Sequence, residues 1–303
     1  MTSYLVSIAT TAGFFMLMAL ALNLQWGMAG MINFGIAGFF ALGAYASALS
    51  TELLGFPFWG GLCMALLAGF LVGLAVASLS IRLSGDFLAI VTLGFAEVMR
   101  LILLNEDWLT RGPRGFGVAT RPLGGVFDRE DYGWFYLGVM TAAVLIVFAV
   151  VETIRRAPFG RVLRAIREDD AVPAALGKNV LWFRLQAFAL GSAAMAVSGS
   201  LYAHYVQNIS PDHFTTSVAI VVWMSVIVGG AGNNLGLLFG AGIVILILEG
   251  TRFLGGTLPG LDAERLSALR IVLVGLLLIV AIRFRPEGFI PEPRARADRL
   301  ART

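Results

Sequence analysis

The chain has 303 residues, 58% of them hydrophobic and 14% charged, with a formal net charge of +3. An ordinary soluble domain is about 45–50% apolar and about 25% charged, so this balance excludes a water-soluble globular protein. The single cysteine, Cys63, excludes an intrachain disulfide and a cysteine metal site; inside an apolar run, it is expected to pack in the core.

A helix needs about 20 apolar residues to cross roughly 30 Å of hydrocarbon. Hydropathy predicts spans at 4–26, 30–51, 57–81, 86–105, 133–154, 183–206, 217–230, 236–254 and 267–283. The expected fold class is an all-α integral membrane protein, a bundle of about nine (8–10) transmembrane helices with broken or re-entrant segments. One transmembrane domain covers 1–290, and a basic tail covers 291–303. No basic residue precedes the first span, which outruns the roughly 7–15 apolar residues of a secretory signal, so it reads as a retained helix.

The span 30–51 carries Asn33, Gly35, Gly38 and Gly43 in its first half, and 217–230 is short and runs into Gly229-Gly230-Ala231-Gly232-Asn233-Asn234. Both read either as broken helices beside a pathway or as close packing at glycine. Irregular backbone at membrane depth is tolerated only where protein or a watery cavity satisfies it. Gly69 with Gly73, and Gly232, Gly236 and Gly240, have the four-residue spacing that lets helix backbones approach.

Two intramembrane charge pairs recur at i,i+3, Glu97 with Arg100 and Glu249 with Arg252. Such pairs share a helix face and partly neutralise each other, or they snorkel toward the outer boundary. Their similar settings are those of two related halves. His204 and His213 flank one short loop without a third ligand, so no metal is expected; His204 is placed at a helix end near the headgroups.

Alternation through nine spans puts the loops at 27–29, 82–85, 155–182 and 231–235 and the tail on one face. That face, with its helix edges, carries fourteen basic residues, against five on the other, Arg111, Arg114, Arg121, Arg129 and Arg265. The positive-inside rule then makes the first face cytoplasmic, with the N-terminus external and the C-terminus cytoplasmic.

The loop 155–182 differs from the rest. From Phe159 it reads as a short amphipathic helix with Val162, Leu163 and Ile166 on one side and Arg161, Arg164 and Arg167 on another. An acidic cluster, Glu168, Asp169 and Asp170, follows; Pro173 and Gly177 then suit a second short helix and its stop. A helix pair of this kind suits docking to a separate soluble motor. Its rival is a basic interfacial helix held by anionic lipid.

At these residues the chain resembles a known family. Gly85 to Leu93, then Phe95-Ala96-Glu97 and Leu103-Leu104-Asn105, are similar to the branched-chain amino acid permeases of ATP-binding-cassette importers. So are Ala157 to Arg161, Ala165-Ile166-Arg167-Glu168-Asp169, Leu201 to Tyr205, Ile209-Ser210-Pro211 and Gly229 to Gly232. The resemblance implies a bacterial inner-membrane permease that pairs with a homologous second permease, two cytoplasmic ATP-binding subunits and an extracytoplasmic binding protein. It also implies that Pro158 to Asn179 contacts the ATPase, with Phe159, Gly160, Arg161, Arg164, Arg167, Glu168, Asp169 and Gly177 as coupling residues. Two departures stand out. Only Gly177 matches the common importer pattern Glu-Ala-Ala followed by glycine, and Ile36 stands where many relatives have His or Gln.

The expected function is ATP-driven import of leucine, isoleucine, valine or similar small nutrients by alternating access, with Asn23, Asn33 and Glu97 as candidate path residues. No phosphate-binding loop is present, since Gly177-Lys178 runs into Asn179 without the upstream glycine. The chain is therefore not expected to be an enzyme or to bind a cofactor, ATP being used by partner subunits; membrane lipid is a partner and nucleic acid is not. The alternatives are an ion-coupled secondary transporter using Glu97 and Glu249, a permease for urea, amides or other amino acids, and a membrane-embedded enzyme. The last lacks clustered groups to activate water or hold a metal.

Overall fold

The computed structural model describes residues 2–80, 85–123, 131–255, 263–285 and 287–292. Arg82, Arg129, Pro286 and the tail from 293, together with the side chains of Arg252 and Arg265, lie outside the described residues, and so does the expected pairing of Arg252 with Glu249.

Nine helices stand where the nine spans were expected: α1 (Thr2–Leu22), α2 (Ile36–Leu53), α3 (Phe58–Ser80), α4 (Gly85–Asn105), α6 (Asp131–Arg156), α9 (Val180–Val206), α10 (Thr216–Gly229), α11 (Asn234–Gly255) and α12 (Ala263–Phe284). Among the described residues seven segments are long and apolar enough to cross a membrane, and α11 and α12 contribute shorter apolar stretches. Three short helices lie in the connections: α5 (Asp107–Thr110), α7 (Pro158–Glu168) and α8 (Ala171–Ala175).

Packing follows from residue size. The helix α9 is rich in Ala, Ser and Gly, and α2 and α3 close on it through glycine. A Cβ on Gly43 would strike the backbone of Ala196, and one on Gly199 the carbonyl of Phe40. One on Gly73 would come within 2.6 Å of Ser192 Cβ. With no hydrophobic drive between helices in lipid, such close approach supplies the van der Waals contact that holds them. Gly236 and Gly240 do the same for α11 against the Gly229 backbone of α10. Gly69 and Gly73 of the first series and Gly236 and Gly240 of the second are therefore close-approach sites, while Gly232 lies in the turn before α11 against the Glu292 side chain.

Cys63 corrects the expectation of core packing. It is exposed and lines an apolar groove of about 470 Å³ between α3, α6 and α9, with Leu66, Phe70, Val139, Ala143 and Val197. In an apolar bundle the outer face is as hydrophobic as the core, so hydropathy alone cannot tell which way a thiol points.

Among the described residues the connections gather at two ends, grouped as alternation predicts where both are described. At one end the segment after α1, the end of α6, α7, the α10–α11 turn and residues 287–292 touch one another. At the other, Glu52 and His204 hold Ala119 and Thr120, and a two-residue strand β1 (Phe116–Gly117) pairs antiparallel with β2 (Asn208–Ile209).

Candidate functional site

The α-helix of α1 passes into a π-helical turn at Asn23–Gly27, and residues 28–34 are non-helical before α2 begins. This is the break expected in the second span. Its buried polar side chains are answered by protein. Asn33 donates through Nδ2 to Gln25 Oε1 (2.7 Å) and accepts the Gly35 N–H (2.7 Å), while Gln25 Nε2 donates to the Phe188 carbonyl (2.8 Å). Asn33 and Gln25 are fully buried.

The second expected break, in the span 217–230, takes the form of a 14-residue α10 that stops at Gly229 and turns directly into α11. The two irregular segments meet. Trp223 of α10 donates its indole N–H to the Asn33 carbonyl (3.0 Å) and stacks on Phe34 with ring centres 5.1 Å apart. On the other side the Phe34 N–H donates to Thr92 Oγ1 of α4 (3.0 Å). The break is thus pinned between α4 and α10.

Below it, Asn23 is fully buried. Its Nδ2 donates to Asn234 Oδ1 (2.8 Å), and its Oδ1 accepts the Gly232 N–H (2.8 Å). Asn234 donates onward to Glu152 Oε2 (2.8 Å), whose carboxylate also accepts from Arg155 (2.5 Å) and Arg156 (2.7 Å). The network ties α1, α6 and the α10–α11 turn together at one end.

The loop 155–182 contains the two short helices read from its sequence. Pro158 opens α7 at a position where the missing N–H costs nothing. Gly160 is required by sterics, since a Cβ there would strike the Ile154 carbonyl at the end of α6. Phe159 packs inward, stacked on Phe183 of α9 (5.3 Å between ring centres). Arg161 and Arg164 donate to the carbonyls of Arg156 (3.5 Å) and Arg155 (3.4 Å), orphan acceptors at the α6 C-terminus. Asp169 Oδ1 accepts the Ala171 N–H (2.9 Å) at the start of α8, and Asp170 pairs with Arg184 (2.7 Å). Gly177 sits at φ +74° and its N–H donates to the Ala174 carbonyl (3.0 Å), ending α8. Arg161, Glu168, Asp169, Val172 and Leu176 face outward; Leu176 is 74% exposed.

Glu97 lies apart from both regions, on α4, in a partly exposed ion pair with Arg100 (2.5 Å). At the opposite end from α7, His204 stands in the last turn of α9, the helix end expected for it, with its side chain fully buried against its own chain. Its Nδ1 meets the Thr120 carbonyl (2.8 Å), and a carbonyl only accepts, so Nδ1 carries the proton and Nε2 accepts from the Ser47 hydroxyl (2.9 Å). Ser200 in turn donates to Ser47 (2.8 Å). His213 is exposed.

Gln25, Glu152, Asn234 and Glu292 stand in these networks although they were not among the expected site residues. Three of them stand in or at the edge of apolar runs, where a polar side chain is costly unless bonded; that cost was the available signal.

A polytopic bundle with a helix break pinned at its centre and a compact, mixed-charge helix pair at one end is a membrane permease. The chain belongs to the family described as the permease component of the branched-chain amino acid transport system, whose model matches residues 4–282. It is 32% identical over 316 residues to the high-affinity branched-chain amino acid transport system permease protein LivM of Escherichia coli, covering 95% of this chain and 70% of that protein. It is 28% identical to the probable branched-chain amino acid transport permease protein LivM of Methanocaldococcus jannaschii, covering 92% and 91%. The permease protein LivH of the Escherichia coli high-affinity system is 25% identical, covering 94% and 93%. No solved structure matches the chain.

Proposed function

We propose that the chain is one of two homologous permease subunits of an ATP-driven importer, working with two cytoplasmic ATP-binding subunits and an extracytoplasmic binding protein, and that its substrates are leucine, isoleucine and valine. The substrate class follows the names of LivM and LivH, and their joint similarity to one chain supports a paired permease. The observation that carries the ATP-driven reading is the α7–α8 pair. It turns an outward face of charge and apolar side chains, Arg161, Glu168, Asp169, Val172 and Leu176, away from the bundle, while its other face is bonded to α6 and α9. A rigid unit of this shape can receive a push from a soluble partner and pass it to the membrane helices.

The excess of basic residues on this end supports a cytoplasmic location for α7–α8 in the plasma membrane, with the N-terminus outside. ATP binding closes the ATPase pair, α7–α8 move with it, and the bundle alternates between outward and inward openings. Specificity rests chiefly with the binding protein. The test is purification of the tagged chain with its partners, followed by leucine uptake into vesicles. The reading expects an ATP-binding subunit to copurify and uptake to require ATP. Uptake that follows a proton or sodium gradient and ignores ATP would instead make the chain a secondary transporter.

A further inference from the structure

Among the arginines of α7, Arg167 alone leaves the loop. Its guanidinium donates through Nη1 to the Gly27 carbonyl, at the end of the π-helical turn, and through Nη2 to Glu292 Oε2 (2.8 Å). The backbone of the break lies directly on it. Gly30 has φ +70°, and a Cβ there would come within 3.2 Å of Arg167 Cγ and 3.4 Å of Arg167 Cα. A displacement of α7 therefore presses on residues 27–30 with nothing between.

Glu292 closes a second route. It belongs to a strap, described over residues 287–292, that is pinned to the α10–α11 turn through backbone. The N–H groups of Phe289 and Ile290 donate to the carbonyls of Val228 (2.9 Å) and Gly229 (3.2 Å), and Asn233 Nδ2 donates to the Pro291 carbonyl (3.0 Å). Gly288, at φ +81°, lies against the Gly230 backbone. The strap is thus bonded to the end of α10, whose Trp223 holds Asn33 from the other side of the break. One side chain on α7 reaches both halves of the irregular core.

Resting on the reading of α7–α8 as the ATPase-driven element, we propose that Arg167 is the joint that carries its motion to the broken segment 23–35 and, through Glu292, to α10. Arg167 is a positioning residue. It faces inward, with 27% of its side chain exposed, so it transmits the push rather than receives it. A guanidinium suits the task because its planar fork serves two acceptors at once, whereas an ammonium has no fixed second donor direction.

The test measures leucine imported per ATP hydrolysed in the reconstituted complex for Arg167→Ala, Arg167→Lys, Glu292→Gln, and Arg167→Glu with and without Glu292→Arg. Arg167→Ala should copurify with the ATPase and hydrolyse ATP as the wild type does, while import per ATP falls by about tenfold or more, the factor that corresponds to about 1.4 kcal/mol. Arg167→Lys should fall less, and Glu292→Arg should restore part of what Arg167→Glu loses. Glu292→Gln, a mild change on the strap, covers the case in which Arg167→Ala does not fold; it should lower import per ATP with hydrolysis unchanged. Equal loss of hydrolysis and import, or an unchanged ratio in all variants, would overturn the proposal. Absence of ATP-dependent import in the wild-type complex would defeat the underlying functional reading instead.

Discussion

Asn23→Ala separates a structural link from a pathway residue. Asn23 makes two bonds, to Gly232 N–H and Asn234 Oδ1, each 2.8 Å long and both out of contact with water. Alanine leaves both partners unanswered, and a buried unsatisfied group costs about 1–3 kcal/mol. Hydrogen bonds between membrane helices average nearer 0.6 kcal/mol because the unfolded chain in lipid also finds partners. For the two bonds together the expected loss is therefore about 1–6 kcal/mol. Asn23→Asp should be no better, because it removes the donor to Asn234 and adds a carboxylate to a network that already contains Glu152. The assay is thermal unfolding in detergent beside the KM for leucine uptake. A fall in stability with an unchanged KM supports the link. Stability within about 0.5 kcal/mol of wild type, together with a KM shifted about tenfold, would refute it and return Asn23 to the path.

Two further outcomes are expected. On a Cys63→Ala background, Arg114→Cys should react with an impermeant maleimide in intact cells and Ala174→Cys should not; both positions are exposed, so reversed labelling would overturn the assigned orientation. His204→Ala removes the acceptor of the Ser47 hydroxyl and the donor to the Thr120 carbonyl. It should cost about 1–3 kcal/mol and speed hydrogen exchange at residues 116–120 while leaving α7–α8 unaffected; unchanged exchange there would refute the anchoring role.

The spans were legible because a membrane helix is written in its apolar length, and all nine predicted stretches coincide with helices. The break at 28–34 showed in Asn33 and Gly35, and the α7–α8 pair in Pro158, Pro173 and Gly177. Direction was not legible. Phe159, expected among the residues that couple to the ATPase, stacks inward on Phe183, and Cys63 looked buried and faces a groove. Asn23 and Asn33 stood out as polar groups in apolar runs, which a pathway and an interhelical bond both require, but their partners Asn234 and Gln25 did not stand out with them. Those partners lie 211 and 8 residues away, and the larger separation is one that local pattern cannot bridge. Arg167 and Glu292, 125 residues apart, are joined by the same kind of contact.

The central claim is that energy from ATP enters through α7–α8. Gly177→Pro tests it most directly, because Gly177 adopts φ +74° and donates its N–H to Ala174, while proline holds φ near −65° and has no N–H. The variant leaves every apolar span intact. The measurement is leucine import by the reconstituted complex at saturating ATP. The account predicts a protein that inserts normally yet imports at least about tenfold more slowly; import at the wild-type rate from an assembled complex would contradict it.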